Sequence, residues 1–478
     1  MVRRAFLLAR RRSARHGPDA ARAPRTARRV ATTAGPLLAL GVVLARPAAT
    51  FANPPDTFGF GARSTALAGA VSADVSDFSA VYYNPAGLAA DTETRLELGY
   101  MLVLPELRMN GRDNEVDSIR GMVGGLRVPT TFFGQRFGFG LAMHVPDERI
   151  SRTRSLPLTQ PRWEMYDNRP HRLFIGVGVA WRPLEWLSVG AGISFQATST
   201  TRLEVEGTIP AFGAERGSKL THQLETRLLS VRYPLLGVQV TPTDWLAFGV
   251  TYRGEFRLGL ELEARVDADI TLGARSIPAL FDLYTRSVNA FLPRQLSFGA
   301  ALRPHPRVRA SAEVTWVNWA AYELPVGYTD VALDLTVPPE FAAFVTQPGP
   351  ILGSRPIPSG FRDRFVPRFG VEVLAVDTQH VDLRGRVGYF YEATPVPEQT
   401  GLGNFVDSDR HAVSLGLGAT LEDLGEALPG RLLLDLAFQI GFIPERVMRK
   451  ESLLDPTGSY RAGGIVWALG ATTGVTFR

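Results

Sequence analysis

The 478-residue chain is long enough for one wide domain, is 45% hydrophobic with 47 glycines, and carries no cysteine, which excludes disulfides, thiolate metal sites and a thiol nucleophile. Its formal charge of +5 is concentrated at the start: eleven of the 52 basic residues lie in 1–46 against the single acid Asp19, so the remainder, with 41 basic and 46 acidic residues, is mildly acidic and gives no support for nucleic-acid binding. No stretch reaches the ~18 uninterrupted apolar residues of a helical membrane span, a test that a β-barrel escapes because only alternate residues face lipid.

Residues 1–34 are rich in Arg and Ala, residues 36–45 form a short apolar run, and Thr50-Phe51-Ala52 offers small residues for a cut before Asn53. This is the order of a basic n-region, an h-region and a cleavage site, so 1–52 reads as a secretory signal with a long n-region, the alternative being a disordered basic tail. Arg3-Arg4 resembles a twin-arginine motif, but it lies far before the apolar run and that route carries folded cargo.

The stretch from Ala66 to Ala89 has Ala or Gly at positions 66, 68, 69, 70, 73 and 80, acids at Asp74 and Asp77, and ends in Asn84-Pro85-Ala86-Gly87. Small residues allow close backbone approach, and Asn before Pro takes an extended or turn conformation. On turn chemistry alone it is a helix-and-turn cap.

Beyond it the period changes to two. From Phe248 to Leu272 the even positions are predominantly apolar, while the odd positions carry Arg253, Glu255, Arg257, Glu261, Glu263, Arg265, Asp267 and Asp269. Such a strand would span roughly 85 Å at ~3.3 Å per residue, whereas ~9–11 residues cross a bilayer, so the wall is expected to project beyond the membrane. The same alternation recurs, for example at Leu432, Leu434, Leu436 and Phe438 against Leu433, Asp435 and Ala437. Fourteen strands are expected, near 94–104, 122–134, 136–146, 169–182, 186–207, 222–241, 245–272, 289–303, 307–336, 361–376, 380–394, 408–422, 430–446 and 462–477. Short connections near 134–135, 183–185, 242–244, 304–306, 377–379 and 422–429 alternate with long ones near 105–121, 147–168, 208–221, 273–288, 337–360, 395–407 and 447–461. That asymmetry belongs to outer-membrane barrels with tight periplasmic turns and long external loops. Trp181, Trp186 and Trp245 flank short turns and suit an interfacial girdle, the alternative being a sandwich edge.

No His-Glu-x-x-His, paired metal spacing or Gly-x-Ser-x-Gly elbow occurs, so no enzyme, metal or cofactor is expected. Gly176-Val-Gly178 and Gly416-Leu-Gly418 fall within strands, where glycine eases packing. The acidic pairs Glu261/Glu263 and Asp267/Asp269 read as a solvated lumen wall balanced by Arg253, Arg257 and Arg265.

The stretch Gly69-Ala70, Ala73, Asp77, Ser79-Ala80 and Tyr83-Asn84-Pro85-Ala86-Gly87-Leu88 resembles the N-terminal hatch of the FadL/TodX family of outer-membrane transporters of long-chain fatty acids and other hydrophobic compounds. Pro242-Thr243 with Tyr252-Arg253-Gly254, Leu292-Pro293 through Gly299 with Trp316 and Trp319, and the blocks at 384–391, 395–397, 407–410 and 414–416 extend the likeness from about residue 56 to the end. The resemblance implies a 14-stranded antiparallel transmembrane β-barrel over 93–478 and a hatch over 53–92 that plugs its lumen. It further implies a monomer in the outer membrane of a Gram-negative bacterium, in contact with lipid, lipopolysaccharide and the barrel-insertion machinery. Hydrophobic molecules would pass by passive diffusion, with lateral exit at a kinked early strand; Gly138, Gly140 and Pro146 in the third strand suit bending. Arg253 or Arg257 is the expected partner of a substrate carboxylate, since guanidinium pairs with it bidentately. Two departures are the terminal Arg478 after Phe477, where the family ends in an aromatic residue, and the Pro-rich loop 337–360. The competing readings are a general polar-solute porin and a structural or adhesive surface barrel.

Overall fold

The computed structural model describes residues 54–147, 160–167, 173–195, 199–209, 218–228, 232–272, 275–322, 328–335, 359–401, 403–422, 430–453 and 455–477. The address at 1–52 and residue 53 of the expected hatch lie outside the described residues, as does the loop 337–360 up to residue 358.

The alternating segments form strands in chain order: β1 (Thr94–Met109), β2 (Arg112–Asp113), β3 (Ile119–Phe132), β4 (Gln135–Pro146), β5 (Phe174–Leu184), β6 (Leu187–Phe195), β7 (Ser199–Ile209), β8 (Ser218–Leu228), β9 (Arg232–Thr243) and β10 (Leu246–Arg253). They continue with β11 (Phe256–Leu272), β12 (Arg275–Leu292), β13 (Gln295–His305), β14 (Val308–Val317), β15 (Tyr328–Leu335), β16 (Arg364–Asp377), β17 (Val381–Glu392), β18 (Arg410–Leu421), β19 (Gly430–Met448) and β20 (Tyr460–Phe477). Fourteen of these close an antiparallel ring in the order β1-β3-β4-β5-β6-β9-β10-β13-β14-β16-β17-β18-β19-β20. The ring shuts where β20 returns to β1, in unbroken register from Thr94↔Phe477 to Met109↔Ala462.

Its polarity is the reverse of a soluble sheet. On β19, Leu434 and Leu436 are exposed while Asp435 between them is buried. On β10, Phe248 and Val250 are exposed while Thr251 and Arg253 are buried. Apolar residues outside and polar residues inside are the arrangement of a wall whose outer solvent is lipid. At the short-turn end Phe132, Phe133, Trp181, Trp186 and Trp245 are all exposed, which suits the boundary between lipid and water. The turn there between β3 and β4 has two residues, Phe133 and Gly134, both with positive φ, the conformation whose twist matches a tight hairpin.

The expected ring count holds, but the expected strand bounds need correction at five places. The strands read at 186–207, 222–241, 245–272, 289–303 and 307–336 are each divided, and their outer parts form a separate five-stranded sheet in the order β15-β12-β11-β8-β7. The strand read at 245–272 breaks at Gly254 and Glu255, where the Gly254 amide donates to the Pro234 carbonyl and Glu255 pairs with Arg294 at 3.2 Å. The loop read at 273–288 is mostly strand β12; a bulge opposite Leu258 and Gly259 switches its apolar residues from even to odd positions and hides the alternation. The connection read at 105–121 is occupied in part by β1, β2 and the turn at Asn110 and Gly111.

The segment before β1 folds as short pieces: α1 (Pro54–Phe58), α2 (Ala62–Ala66), α3 (Ala80–Tyr83) and a 3-10 helix (Pro85–Ala89). Its polar partners come from all round the ring. The amides of Ala62, Ser72 and Phe78 donate to Thr472 on β20, Glu313 on β14 and Glu97 on β1. Its carbonyls at Ser72, Tyr83, Ala68 and Ala90 accept from Gln239 on β9, Thr251 on β10, Arg368 on β16 and Arg182 on β5. A segment bonded to seven strands spread around a closed ring lies inside it.

Candidate functional site

The lumen is organised from the hatch outward. Asn84 is buried and caps the 3-10 helix: its Oδ1 accepts from the Ala86 amide at 3.1 Å. Its Nδ2 donates to the carbonyls of Ser72 at 2.7 Å and Val238 of β9 at 3.0 Å, so one side chain fixes the turn, the hatch and the wall. Pro85 follows at the first helical position, where its missing amide costs nothing. A Cβ at Gly87 would overlap the Val75 carbonyl oxygen, and one at Gly190 of β6 would overlap the backbone of Pro85 and Ala86. Backbone meets backbone there, and only glycine permits it.

Below the middle of the barrel the hatch is held by ions. Arg63 of α2 pairs with Glu372 of β16 at 3.3 Å and with Asp74 at 3.7 Å. Arg309 of β14 pairs with Asp74 at 2.7 Å, and Arg386 of β17 bridges Glu372 at 2.6 Å and Asp435 of β19 at 2.5 Å. Three cations and three carboxylates therefore alternate in a buried cluster. Burial works against the charge on Arg63, yet Glu372 and Asp74 outweigh it and raise its pKa above the ordinary guanidinium value.

Above the hatch lies a pocket lined by Met165, Tyr166, Val317, Trp319 and Val366, with Thr57 of α1 as its floor and Arg364, Glu392 and Arg410 at its charged side. Glu392 is paired to both arginines, at 2.5 Å to Arg364 and 2.6 Å to Arg410. Two loops meet over this pocket. Arg162 forms a parallel bridge with Phe405: its amide donates to Asn404, its carbonyl accepts from Val406, and its guanidinium stands 4.8 Å from the Phe405 ring centre. Next to the bridge, α4 (Glu164–Asp167) brings Tyr166 within 6.4 Å of the Phe58 ring, so the cap touches the start of the hatch. Phe405 also packs on Phe361 and Tyr322, extending the cap into an aromatic layer with Trp319. Asp407, in the loop that carries Phe405, is buried; burial drives its carboxyl up to about 6, against the Thr394 hydroxyl and Arg364.

A second cavity beneath is lined by Phe58, Tyr82, Tyr83, Arg253, Phe390 and Gln439. Each cavity holds roughly 30 Å³, room for a few waters. Ligand sites for drug-sized molecules run to ~300 Å³ or more, so neither of these two cavities has room for one in this conformation.

Of the residues singled out in the sequence, Asn84, Pro85, Ala86 and Gly87 come together at the hatch–wall contact just described. Arg253 is buried and turned to the hatch: its Nε donates to Gln295 at 3.0 Å, one amino group to Ser297 at 3.0 Å, and its guanidinium stands 4.9 Å from the Tyr82 ring centre. Arg257 is paired in the backbone with Phe291 in the outer sheet, and its side chain lies outside the described residues. Gly138 and Gly140 lie on β4, which keeps unbroken register with β3 and β5; a Cβ at either would overlap Leu88 of the hatch. Pro146 ends β4 opposite Gly121. The acidic pairs at 261–269 fall in β11 with side chains outside the described residues. Sequence reading missed the ion cluster and the cap. The inward faces of β14, β16, β17 and β19 were legible, but nothing in the spacing of Arg63, Asp74, Arg309, Glu372, Arg386 and Asp435 links them.

Comparison with known proteins follows the same architecture. The family model described as outer membrane protein transport protein (OMPP1/FadL/TodX) matches residues 42–477. Alkane uptake protein A of Marinobacter nauticus is 23% identical over 412 residues, covering 83% of this chain and 85% of that one. The crystal structure of a Pseudomonas aeruginosa FadL homologue superposes with a TM-score of 0.53 at 17% identity, covering 87% of this chain and 97% of that chain. The toluene transporter TodX of P. putida gives 0.49 at 16% identity, covering 88% and 99%.

Two outcomes are expected from this geometry. Arg63→Met removes one cation from the buried cluster and leaves Glu372 and Asp74 under-compensated, a loss of about 3–5 kcal/mol for a buried pair that loses one partner. Limited proteolysis of the folded barrel then cuts the hatch much faster than in the parent; equal resistance contradicts the assignment. The raised Asp407 pKa makes the cap pH-dependent. Its contribution is fully present below the ordinary carboxylate range near 4 and is lost as pH rises through about 6. Protection against hydrogen exchange in 393–409, taken relative to the intrinsic rate at each pH, is therefore greater at pH 4.5 than at pH 7.5, and Asp407→Asn flattens the difference; a parent whose protection is equal at the two pH values contradicts it.

Proposed function

Because the chain belongs to the OMPP1/FadL/TodX family of outer membrane transport proteins, we propose that it takes up hydrophobic molecules by passive diffusion through a hatch-gated barrel, with long-chain fatty acids as the first substrate class. The family sets the chain in the outer membrane as a transporter of hydrophobic compounds. The observation that carries the reading is the hatch itself: 37 residues from Pro54 to Ala90 lie within the ring, and the two cavities they border among the described residues are small. A general polar-solute porin would need an open lumen, and an adhesive barrel would need no capped pocket.

In this mechanism substrate enters under the cap into the pocket lined by Met165, Tyr166, Val317 and Trp319. Its arrival displaces Thr57 and Phe58, and the motion passes to Tyr82 and Tyr83, which share the second cavity with Phe58. Arg253, freed from the Tyr82 ring, then meets the carboxylate of a fatty acid, with Arg257 as the other candidate. Withdrawal of Leu88 from Gly138 and Gly140 would clear the inner face of β4, the proposed place of lateral exit. A second substrate reading, alkanes, is favoured by the name of the Marinobacter relative and by Glu392, which already occupies both Arg364 and Arg410.

The test is uptake of labelled oleate and labelled hexadecane into cells lacking their own transporter, with and without this chain. The full chain raises uptake of at least one, and deletion of residues 53–90 abolishes uptake or makes the envelope permeable without selectivity. Arg253→Ala lowers oleate uptake and leaves hexadecane untouched. No uptake of either from a folded barrel contradicts the transport reading; normal oleate uptake by both Arg253→Ala and Arg257→Ala removes only the carboxylate assignment.

A further inference from the structure

Three cavities of the lumen are strung along one short piece of the hatch. Thr57, Gln295 and Arg368 line both the pocket under the cap and the cavity beneath it. Phe58 and Thr65 line that second cavity and also a third, bounded by Ala62 of α2, Met101 of β1, Val123 of β3, and Ala468 and Thr472 of β20. The end of α1 is therefore part of the partition at both steps. The chemistry changes along the string. Arginines border the first two cavities, Arg364, Arg368 and Arg410 in one and Arg253 and Arg368 in the other. None of the residues lining the third is charged. Its polar edge is two threonines, and the Thr472 hydroxyl already accepts from the Ala62 amide at 3.2 Å. A charged head brought there would lose its water and gain no ionic partner.

The third cavity is also blind. Behind it β1 runs in unbroken register with β20 from Thr94↔Phe477 to Met109↔Ala462, and with β3 from Arg95↔Arg127 to Val103↔Ile119. Its volume is about 10 Å³ while Phe58 stands in place. Phe58 is the piece that can yield. A phenyl ring makes no hydrogen bond, and this one reaches the cap only through the Tyr166 ring, 6.4 Å away between centres. Gly59 and Gly61, both at positive φ, separate α1 from α2, which Arg63 ties to the ion cluster. With Phe58 swung aside, the second and third cavities become one, charged at its start and apolar at its end.

We propose that the third cavity receives the end of a linear hydrocarbon chain, the polar head of an amphiphile staying behind at Arg253 and Arg368, and that its blind end limits the chain length accepted. Taken with the transport reading above, on which it rests, this gives the substrate an orientation, tail toward β1 and β20. It also gives Phe58, Val123 and Ala468 a part in specificity.

The test uses the purified full chain and three photoreactive probes: stearate with a diazirine at its methyl end, stearate with the diazirine beside the carboxylate, and octadecane with a terminal diazirine. Labelled residues are read by mass spectrometry. Expected is label from the methyl-end acid and from the alkane at Met101, Val123 and Ala468, and label from the carboxylate-end acid around Arg253 and Arg368. Label confined to the exposed neighbours Met122 and Leu469 overturns the proposal, because that is binding from the lipid side. Methyl-end label at Met165 and Tyr166 also overturns it, since the tail then stays under the cap, and leaves transport standing. Label in the cavity from the alkane alone supports the tail site and removes the head assignment. No saturable label from any probe sinks the transport reading and the tail site together. In cells, Val123→Phe adds a ring to the cavity and lowers uptake of oleate relative to decanoate about tenfold, the low end of what one methylene is worth in an apolar pocket. Gel mobility before and after heating confirms a folded barrel, and an unchanged ratio in that folded variant overturns the limit on chain length.

Discussion

Backbone amides and carbonyls in hydrocarbon have no water to bond, so a sheet that crosses a membrane must have no free edge. In this chain that demand is met where β20 pairs with β1 along sixteen residues, from Thr94↔Phe477 to Met109↔Ala462. The rest follows from closure. Alternate residues must face lipid, so Leu434, Leu436, Phe248 and Val250 are exposed, and their neighbours Asp435 and Thr251 turn inward. Eight strands make a ring that side chains can fill; fourteen make one that they cannot. The lumen is then polar and wide, and something must occupy it for the barrel to be shut.

What occupies it is backbone, and backbone buried in a lumen needs partners as much as backbone in lipid does. The wall supplies them one by one. Glu313, Glu97, Gln239, Thr251 and Arg368 each bond a hatch amide or carbonyl. Small residues let the hatch approach closely enough to be bonded. Its contacts with the lower wall are ionic and with the upper lumen aromatic: Arg63 and Asp74 join the cluster of Glu372, Arg309, Arg386 and Asp435, whereas Phe58 reaches Tyr166 of the cap. The end of the hatch beneath the pocket is thus held by van der Waals contact, and the far end by charge. A substrate arriving from above meets the part that is easier to move.

Much of this was legible in the sequence. Alternation such as Leu434-Asp435-Leu436 fixes the face of each residue, and short turns alternating with long loops give the strand number. Asn84-Pro85-Ala86-Gly87 marks the hatch turn through its cap and its need for a residue without Cβ. Other parts were not legible for identifiable reasons. The bulge in β12 reverses its parity, and Pro278 inside it weakens the strand signal, so a real strand read as a loop. The Asn110-Gly111 hairpin signal was present but lay within what read as one long connection. Ion partners such as Arg63 and Glu372 are separated by 309 positions, and periodicity names a face without naming a partner. The bridge of Arg162 to Phe405 joins two loops that have no period at all.

The claim that the hatch closes the lumen and must move for substrate to pass can be tested directly, because the chain has no cysteine of its own. A Cβ built at Gly470 of β20 lies 3.9 Å from the Cβ of Ala62 in α2, close to the ~3.8 Å of a disulfide. With Ala62→Cys and Gly470→Cys in one chain, uptake of labelled hydrophobic substrate is measured under oxidising conditions and again after reduction. The account predicts that uptake stops when the hatch is locked to the wall and returns when the lock is reduced. Undiminished uptake through the oxidised, fully crosslinked barrel would contradict it.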